Sequence, residues 1–580
     1  MADNRWDLNS VYPSTDSSEF AEDLMKAESL LKALRKDMEE ASLGLSSQIE
    51  RMNEITDLIV TLSTYASCLV SVNTTDKSAV NALNKVDNLF MDYTVCNTLF
   101  TEYVATHDSE VSAFVSENPE YAYVLKEIGE NSKHQMSKEM EELASDLMRS
   151  GSDSYSRLQE AISSSASTLF NGEKKTVIEL RALATNSDRE TRKKAYEAEL
   201  GIWKEHEIAF AYALNSIKGT SLSLEKRRSW NSPVERSCAT ARINEKILSA
   251  LITTLEKNLP MFRSYMKTKA KLLGVDKMAF FDISAPVGKA ESTYSLEDAK
   301  RIVVENYGAF NPEMGEFARH AFESSWIDVY PRPGKTGGAY DTYIPKIKES
   351  RVFANFDGTY DGVTTFAHEL GHAWHDRVVS SKPALLRDYP MTLAETASIF
   401  SEFIVFKGVV EKADKEQKIA IIEQFIQGAC AVCVDILCRF YFEREIFEKR
   451  KEGELMPSDF CSIMIDCQKK TYGEGLDENF LHPYMWAVKG HYYSTGFSFY
   501  NYPYAFGQLF GLGLYARSQK DTGSEPFFKK YNALLSLTGI LPAKDVAATA
   551  SIDLEDPSFW QEGMDIIASY VKELEELSLE

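Results

Sequence analysis

The amino-acid sequence predicts a mainly α-helical protein with one small β-sheet. Apolar residues recur at helical spacing after Pro13, where Ser17 or Ser18 can cap the first helix. Further helical patterns cover roughly 48–72, 78–107 and 139–170, and charged faces accompany each of them.

The stretch 330–365 is the least helical part of the chain. Within it, 340–344 and 352–356 resemble two short strands, and a charged connector containing Pro345 joins them. The edge of such a sheet offers backbone N–H and C=O groups to an extended peptide.

With 580 residues, the chain exceeds a single compact core, so two or more lobes are expected. The pattern changes softly over 172–190, without a linker rich in Pro or Gly. We therefore predict an N-terminal helical lobe over 1–180 and a catalytic region over 181–580.

The composition, 44% hydrophobic and 26% charged, is that of an ordinary globular protein. Its formal charge of −23 argues against nucleic acid or anionic membranes as partners, since phosphates would be repelled. No apolar run reaches the roughly 18 residues of a membrane helix, and the first ten residues do not resemble a signal peptide. We therefore expect a cytoplasmic location.

Eight cysteines are scattered along the chain, which is no dense disulfide framework at this length. Cys430 and Cys433 have the spacing of a redox or metal motif, but they lie in the apolar-rich helical run 421–442. Buried free thiols are the favoured interpretation, and a functional CxxC is the alternative.

Residues 368–372 read His-Glu-Leu-Gly-His, within a mostly apolar stretch that contains no Pro. His368 and His372 lie four residues apart on one helix face, so both imidazoles can bind one Zn²⁺. Glu369 projects beside them, where it can accept a proton from a metal-bound water. The alternative is a helix in which a salt-bridging Glu lies between two packed histidines.

A third histidine, His375, follows three residues after His372. Three ligands along one straight helix cannot occupy three corners of a tetrahedron, and no Gly is placed to turn the chain back toward the metal. We therefore expect His375 to pack beside the site or to support a ligand.

A carboxylate from a second helix is the natural third ligand. Thr392 is a plausible N-cap after Pro390, Glu395 follows three residues later, and 394–410 has helical spacing. From spacing alone, Glu395 is equally well a capping carboxylate. Glu402 lies on the same face, where it can hydrogen-bond to a ligand histidine or form a structural ion pair.

The HELGH motif with TLAETASIFSE over 392–402 resembles the thimet oligopeptidase family, specifically its oligoendopeptidase F branch. Residues 5–12, the glycine-rich 334–340 and the tyrosine-rich 499–505 are similar to further motifs of this branch. The resemblance implies a mostly helical, two-lobed clamp around a deep channel in which a zinc enzyme hydrolyses short peptides. It also implies Glu395 as the third zinc ligand and Glu402 as its neighbour.

The same resemblance assigns roles to two residues near the C-terminus. Tyr502 matches the family's catalytic tyrosine, and His491 matches its histidine donor. Attack on a peptide carbonyl creates a negative oxygen, which a neutral O–H or N–H donor stabilises. Without the resemblance, the aromatic residues from His491 to Tyr504 would be interpreted as core.

The sequence therefore predicts a zinc endopeptidase for short oligopeptides, with one Zn²⁺ per chain. His368, His372 and Glu395 hold the metal, while Glu369 takes the proton of the attacking water and passes it to the leaving amine. Short peptides are the expected partners, and the oligomeric state is open.

Two other interpretations are compatible with the motif. A zinc carboxypeptidase would need a cation for the terminal carboxylate of its substrate, which Arg351, Lys346 or Lys348 could supply. A peptide-binding scaffold with a structural metal is the second, although such a site has no need of Glu369 as a base.

Overall fold

The computed structural model describes residues 4–288 and 293–579, and it confirms the predicted mainly helical class, since 72% of the protein is helical. Over these residues the α-helices are α1 Ser18–Glu39, α2 Leu45–Val72, α3 Lys77–Thr106, α4 Asp108–Glu117, α5 Ala122–Ser132, α6 Lys138–Ser150, α7 Ser152–Ser165, α8 Val177–Ala182, α9 Arg189–Arg227, α10 Pro233–Thr240, α11 Glu245–Leu272, α12 Leu296–Phe310, α13 Pro312–Glu323, α14 Tyr360–Val379, α15 Met391–Val410, α16 Lys415–Cys430, α17 Ile436–Glu452, α18 Pro457–Tyr472, α19 Met485–Val488, α20 Tyr502–Lys520, α21 Phe527–Leu535, α22 Ala543–Ala548 and α23 Pro557–Leu579. Short 3-10 turns cover Pro119–Tyr121, Leu183–Thr185, Phe280–Asp282, Ala384–Leu386, Gly473–Gly475, Glu478–Phe480 and Gly490–Tyr492, and a π-helix covers Ala431–Asp435.

The predicted first helix begins as expected, because the Ser17 hydroxyl accepts a hydrogen bond from the Phe20 backbone N–H at 3.2 Å. The helix expected over 139–170 is instead two helices followed by a strand. Strands β1 (Ser167–Phe170) and β2 (Glu173–Thr176) form an antiparallel hairpin. Its turn, Asn171-Gly172, has positive φ at both residues, which Asn-Gly accommodates readily.

The second sheet contains β3 (Ile327–Asp328), β4 (Tyr340–Ile344) and β5 (Glu349–Phe353), in the order β3-β5-β4. The strand predicted over 340–344 is confirmed. The one predicted over 352–356 begins three residues earlier, because β4 and β5 form a tight hairpin in which Ile344 pairs with Glu349. The pattern missed this start because Arg351 on β5 is charged yet buried.

The chain folds into two compact units, each assembled from three chain segments. Unit 1 comprises Met1–Lys133, Glu291–Glu411 and Ser518–Ile552, and unit 2 comprises His134–Ala290, Lys412–Arg517 and Asp553–Glu580. The predicted lobes, 1–180 and 181–580, are continuous in sequence, and that division stays a prediction. The two observed units differ from continuous lobes because each unit packs together segments that are distant in sequence. Local composition does not reveal which distant segments pack against one another.

In unit 1, the core brings the N-terminal helices together with the second sheet. Ile55, Ile59 and Leu62 of α2 are buried in the same cluster as Ile344 of β4 and Phe353 of β5. The Lys346 backbone N–H also donates to the Thr61 hydroxyl at 3.2 Å. This packing holds the hairpin that precedes α14.

In unit 2, a buried ion pair joins the long helix α9 to α17. Lys218 Nζ lies 2.6 Å from Glu443 Oε1, and both side chains are almost fully buried. The other oxygen of Glu443 accepts a hydrogen bond from the Phe499 backbone N–H at 3.0 Å. The pair therefore anchors the start of the tyrosine-rich segment 499–505.

The expectation that no apolar run is long enough for a membrane helix was wrong. The helix α2 and the helical run Lys415–Glu452 are long and apolar enough to cross a membrane by length and composition. Both place many of these apolar side chains in the core of their own unit, which is typical of core helices in globular proteins. Within Lys415–Glu452, Cys430 and Cys433 are buried free thiols, as expected.

Candidate metal centre

Helix α14 carries the HELGH motif. It begins after Thr359, whose hydroxyl accepts a hydrogen bond from the Gly362 backbone N–H at 3.2 Å. His368 and His372 are therefore one helical turn apart, and their ring centroids are separated by 4.9 Å. Both rings lie on the face of α14 that meets α15.

The two helices approach closely at Gly371. A Cβ built on this residue would lie 2.7 Å from the Cα of Ser398 and 2.8 Å from the carbonyl oxygen of Ala397. No side chain fits at such distances, so only glycine allows this packing. Glu395 lies one turn before Ser398 on α15, and the close approach brings its carboxylate to the histidines.

The arrangement of the three side chains fits a metal ion. Oε2 of Glu395 lies 3.3 Å from His368 Nε2 and 3.5 Å from His372 Nε2. One donor atom from each residue can be chosen so that all lie within 4.8 Å of one another. Ligands at about 2.0–2.1 Å from a tetrahedral Zn²⁺ are separated by roughly 3.3 Å, so the donor set and its spacing suit zinc.

Neighbouring side chains orient two of these groups. His368 Nδ1 lies 3.1 Å from Glu402 Oε2, which leaves Nε2 facing Glu395. The Ser398 hydroxyl donates to Glu395 Oε2 at 2.7 Å. Although burial opposes ionisation, the hydrogen bond with His368 lowers the pKa of Glu395 to about 2.

The structure excludes the capping interpretation of Glu395. Helix α15 begins at Met391 with Pro390 as its N-cap residue, and no side chain caps it. Thr392 was wrongly predicted as the cap, because the helix starts one residue before it. The Glu395 carboxylate contacts His368 and His372 instead of the helix start.

Glu369 is buried beside the histidines. Burial raises the pKa of Glu369 to about 7, and the negative charge of Glu395 contributes to the same shift. A carboxyl group with a pKa near neutrality can both accept and return a proton at physiological pH.

His375 packs beside the site, as expected. It is fully buried, its Nε2 lies 2.7 Å from the Thr538 hydroxyl, and its ring stacks on Tyr389 with 4.1 Å between centroids. It does not belong to the group of donors formed by His368, His372 and Glu395.

Two carboxyl groups, Asp341 of β4 and Asp376 of α14, form a buried pair that was not predicted from the sequence. Burial and the neighbouring Asp376 raise the pKa of Asp341 well above its usual range, and burial raises the pKa of Asp376 as well. Asp341 accepts a hydrogen bond from the Ser350 hydroxyl at 3.3 Å, and Asp376 accepts one from the Tyr389 hydroxyl at 2.9 Å. The one indication in the sequence was Asp376, an acidic residue one helical turn after His372.

The predicted donors Tyr502 and His491 belong to unit 2, whereas the metal ligands belong to unit 1. Tyr502 is buried at the start of α20, and its hydroxyl donates to the Ser237 carbonyl at 3.1 Å. His491 is half-buried, with Nδ1 lying 3.2 Å from Asn501 Oδ1. Their catalytic roles stay predictions.

Two of the three cations considered for a carboxypeptidase have partners within the protein. The Arg351 side chain is buried and donates to Glu349, the Asp7 carbonyl and the Ser10 hydroxyl. Lys346 pairs with Asp23 at 2.8 Å. Lys348 is exposed in the turn between β4 and β5.

Replacing Gly371 with alanine should separate α14 from α15, since the added Cβ meets backbone atoms that cannot rotate away. We expect Gly371→Ala to weaken Zn²⁺ binding about 10- to 100-fold, as happens when groups that orient metal ligands are lost. Chelator competition measures this. Gly428→Ala is the matched control, because a Cβ there meets nothing within 4 Å. Equal Zn²⁺ affinity in both variants would contradict the packing argument.

The carboxyl pair should make stability depend on pH. Because the folded state holds a proton on Asp341 more tightly than the unfolded chain, stability falls as pH rises above the unfolded pKa of about 3.9. We expect Asp341→Asn to raise Tm at pH 8 and leave Tm near pH 4 unchanged, measured by scanning calorimetry. The exposed Asp92→Asn is the control. A Tm difference that is the same at both pH values would rule out the pair as its cause.

Comparison with known proteins identifies the family. The model described as peptidase family M3 matches residues 182–566, and one described as oligopeptidase F matches residues 102–166. The group B oligopeptidase PepB of Streptococcus agalactiae is 24% identical over 607 aligned residues, covering 100% of this chain and 99% of the relative. Oligopeptidase PepF of Bacillus subtilis is 23% identical, covering 99% of this chain and 87% of the relative.

Solved structures show the same fold. A protein from Chlamydophila abortus superposes with a TM-score of 0.82 at 19% identity, covering 99% of this chain and 98% of that one. Oligoendopeptidase-F from Enterococcus faecium gives a TM-score of 0.69 at 19% identity, with coverages of 96% and 98%. The oligopeptidase F model and the relatives of that name confirm the resemblance to the oligoendopeptidase F branch. Because the M3 model spans more than half of the sequence, the chain belongs to peptidase family M3, and it is a metalloendopeptidase.

Proposed function

We propose that this metalloendopeptidase uses one Zn²⁺, held by His368, His372 and Glu395, to cleave internal bonds of short peptides, with Glu369 as general base. The main support is that Glu395 Oε2 lies 3.3 Å from His368 Nε2 and 3.5 Å from His372 Nε2. The buried carboxyl group of Glu369 lies beside these three groups.

When bound, Zn²⁺ polarises the peptide carbonyl and lowers the pKa of a water molecule. The chain supplies the remaining chemistry. Glu402 fixes the ring of His368 so that Nε2 is available as a ligand, and Ser398 holds the Glu395 carboxylate. Glu369 accepts the proton of the attacking water and returns it to the amine that leaves.

An endopeptidase is favoured over a carboxypeptidase by the state of the candidate cations. A carboxypeptidase needs a positive group free to pair with the substrate's terminal carboxylate. Arg351 bonds to partners in its own unit and Lys346 is paired with Asp23, so of the three candidates Lys348 alone is left for such a role. The buried Glu369, with its raised pKa, speaks against a scaffold whose metal is only structural.

We also propose that Tyr502 and His491 act as donors to the negative oxygen that forms when the carbonyl is attacked. The support is the similarity of segment 499–505 to the family motif and the chemistry of neutral O–H and N–H donors. A cytoplasmic location, and the lack of nucleic-acid and membrane partners, stay predictions from composition.

The first test compares wild type with Glu369→Gln on an internally quenched peptide whose ends are acetylated and amidated. We expect wild type to cleave it and the variant to lose about 10²- to 10⁴-fold in kcat, because only the general base is removed. Both proteins must carry equal zinc, measured by atomic absorption.

Each alternative gives a distinct result in this assay. Cleavage only of peptides with a free C-terminus would identify a carboxypeptidase, and bound zinc without turnover of any peptide would identify a scaffold. Full activity of Glu369→Gln at equal zinc content would exclude Glu369 as the base.

The role of Tyr502 is tested with Tyr502→Phe. Loss of an oxyanion donor should lower kcat by about 10²- to 10³-fold with a smaller change in KM. The hydroxyl also bonds to the Ser237 carbonyl, so Tm should be measured in parallel. Tyr531→Phe is the control, because it removes another buried hydroxyl, one without a partner among the described residues. Loss of Tm with unchanged kcat in Tyr502→Phe would show a structural role only.

A further inference from the structure

Unit 2 contains a cavity, partly open to solvent, whose lining residues have no role in the proposed peptidase reaction. Its volume is about 190 Å³, and its wall includes Arg181, Arg192, Glu199, Asp435 and Lys489. A water molecule occupies about 30 Å³ in the liquid, so the space holds roughly six waters. It admits a small ion or metabolite fragment but not a peptide.

Lys489 is the unusual member of this wall. Over the described ranges 4–288 and 293–579, no hydrogen bond or salt bridge involves its ammonium group. Burial lowers the pKa of Lys489 to about 8, with the charge of Arg439 acting in the same direction. The Lys489 side chain is half-buried, so its ammonium group is left to pair with an anionic ligand or with water.

Arg192 adds a second incompletely paired donor. The side chain is buried, and its terminal nitrogens donate to the Asn186 and Ser187 carbonyls and to Asp282. Its Nε, in contrast, is buried without a partner among the residues that the structure describes. Buried donors are nearly always satisfied in folded proteins, so this N–H also indicates an absent acceptor.

The two acidic residues of the wall, Glu199 and Asp435, are bound to other side chains. Glu199 contacts three side chains: Arg181, Trp203 and His482. Asp435 accepts a hydrogen bond from the Tyr472 hydroxyl at 3.1 Å and pairs with Arg439. Neither carboxylate forms a direct pair with Lys489, so the wall keeps an excess of donors over acceptors.

The backbone is irregular at the same place. The π-helix Ala431–Asp435 interrupts the helical run between α16 and α17, and its first and last residues line the cavity together with Cys430. Single π-helical turns inside α-helices occur frequently at functional sites. Here the irregular turn places Asp435 in the cavity wall, where it accepts a hydrogen bond from Tyr472, another residue of the wall.

We propose that this cavity binds a small oxyanion of up to phosphate size, held by Lys489 and by the Nε–H of Arg192. The lining carries three positive side chains (Arg181, Arg192 and Lys489) against two carboxylates, so an anion is favoured over a cation. The site does not depend on the proposed zinc chemistry.

Isothermal titration calorimetry of the full chain at pH 7 and fixed ionic strength tests the site. Sodium phosphate, sodium acetate and sodium chloride are titrated separately into wild type, Lys489→Met and Lys194→Met. Lys194 lies on the same helix as Arg192 but is exposed, so its variant controls for the loss of one positive charge. We expect phosphate or acetate to bind with one site per chain in wild type and Lys194→Met, and at least tenfold more weakly in Lys489→Met.

The Tm of Lys489→Met, measured without added oxyanion, shows whether the variant has lost only the binding site or also its fold. Removing a half-buried charge that has no partner among the described residues should leave the Tm of Lys489→Met equal to or above that of wild type. No oxyanion binding to wild type, binding of chloride alone, or equal binding by Lys489→Met would each overturn the proposal. The same holds for a large fall in Tm, because it would show that Lys489 is held by the protein itself.

Discussion

The contact between α14 and α15 at Gly371 is the constraint on which the metal centre depends. The absence of a side chain lets the backbones meet, and this places a carboxylate of α15 within 3.5 Å of both imidazoles of α14. Around this contact, α15 supplies the proposed ligand Glu395 and also Glu402 and Ser398, which orient the donor atoms. One helix pair thus contains the whole donor set, and the rest of unit 1 holds this pair in position.

Burial controls the chemistry of the acidic groups near that pair. Glu395 is ionised because the histidines stabilise its charge. Glu369, which lies next to His368 on α14, has a pKa near neutrality because it is buried. Asp341 and Asp376 are held closer to their protonated forms by burial. Neighbouring carboxyl groups therefore take different roles according to their partners and not according to their residue type.

The sequence predicted the parts of the site that depend on local spacing. The HELGH motif lies within one helix, whereas Glu395 was equally well a capping carboxylate from spacing alone, and its role as a ligand was implied by the family resemblance. Asp341 and Asp376 were not predicted, because they meet through the packing of a strand on a helix, which no local pattern encodes. Lys489 was missed for a related reason: its lack of a partner is a property of a cavity wall built from distant segments.

The interleaving of chain segments has a consequence for biosynthesis. His375, behind the metal ligands, bonds to Thr538, which belongs to the last segment of unit 1. At 5–20 residues per second, a ribosome adds Thr538 roughly 10 to 30 s after it has added His375. During that interval the nascent α14 lacks part of its final packing. The native environment of the proposed metal ligands is therefore completed only after Thr538 has been added, well after α14 itself has been made.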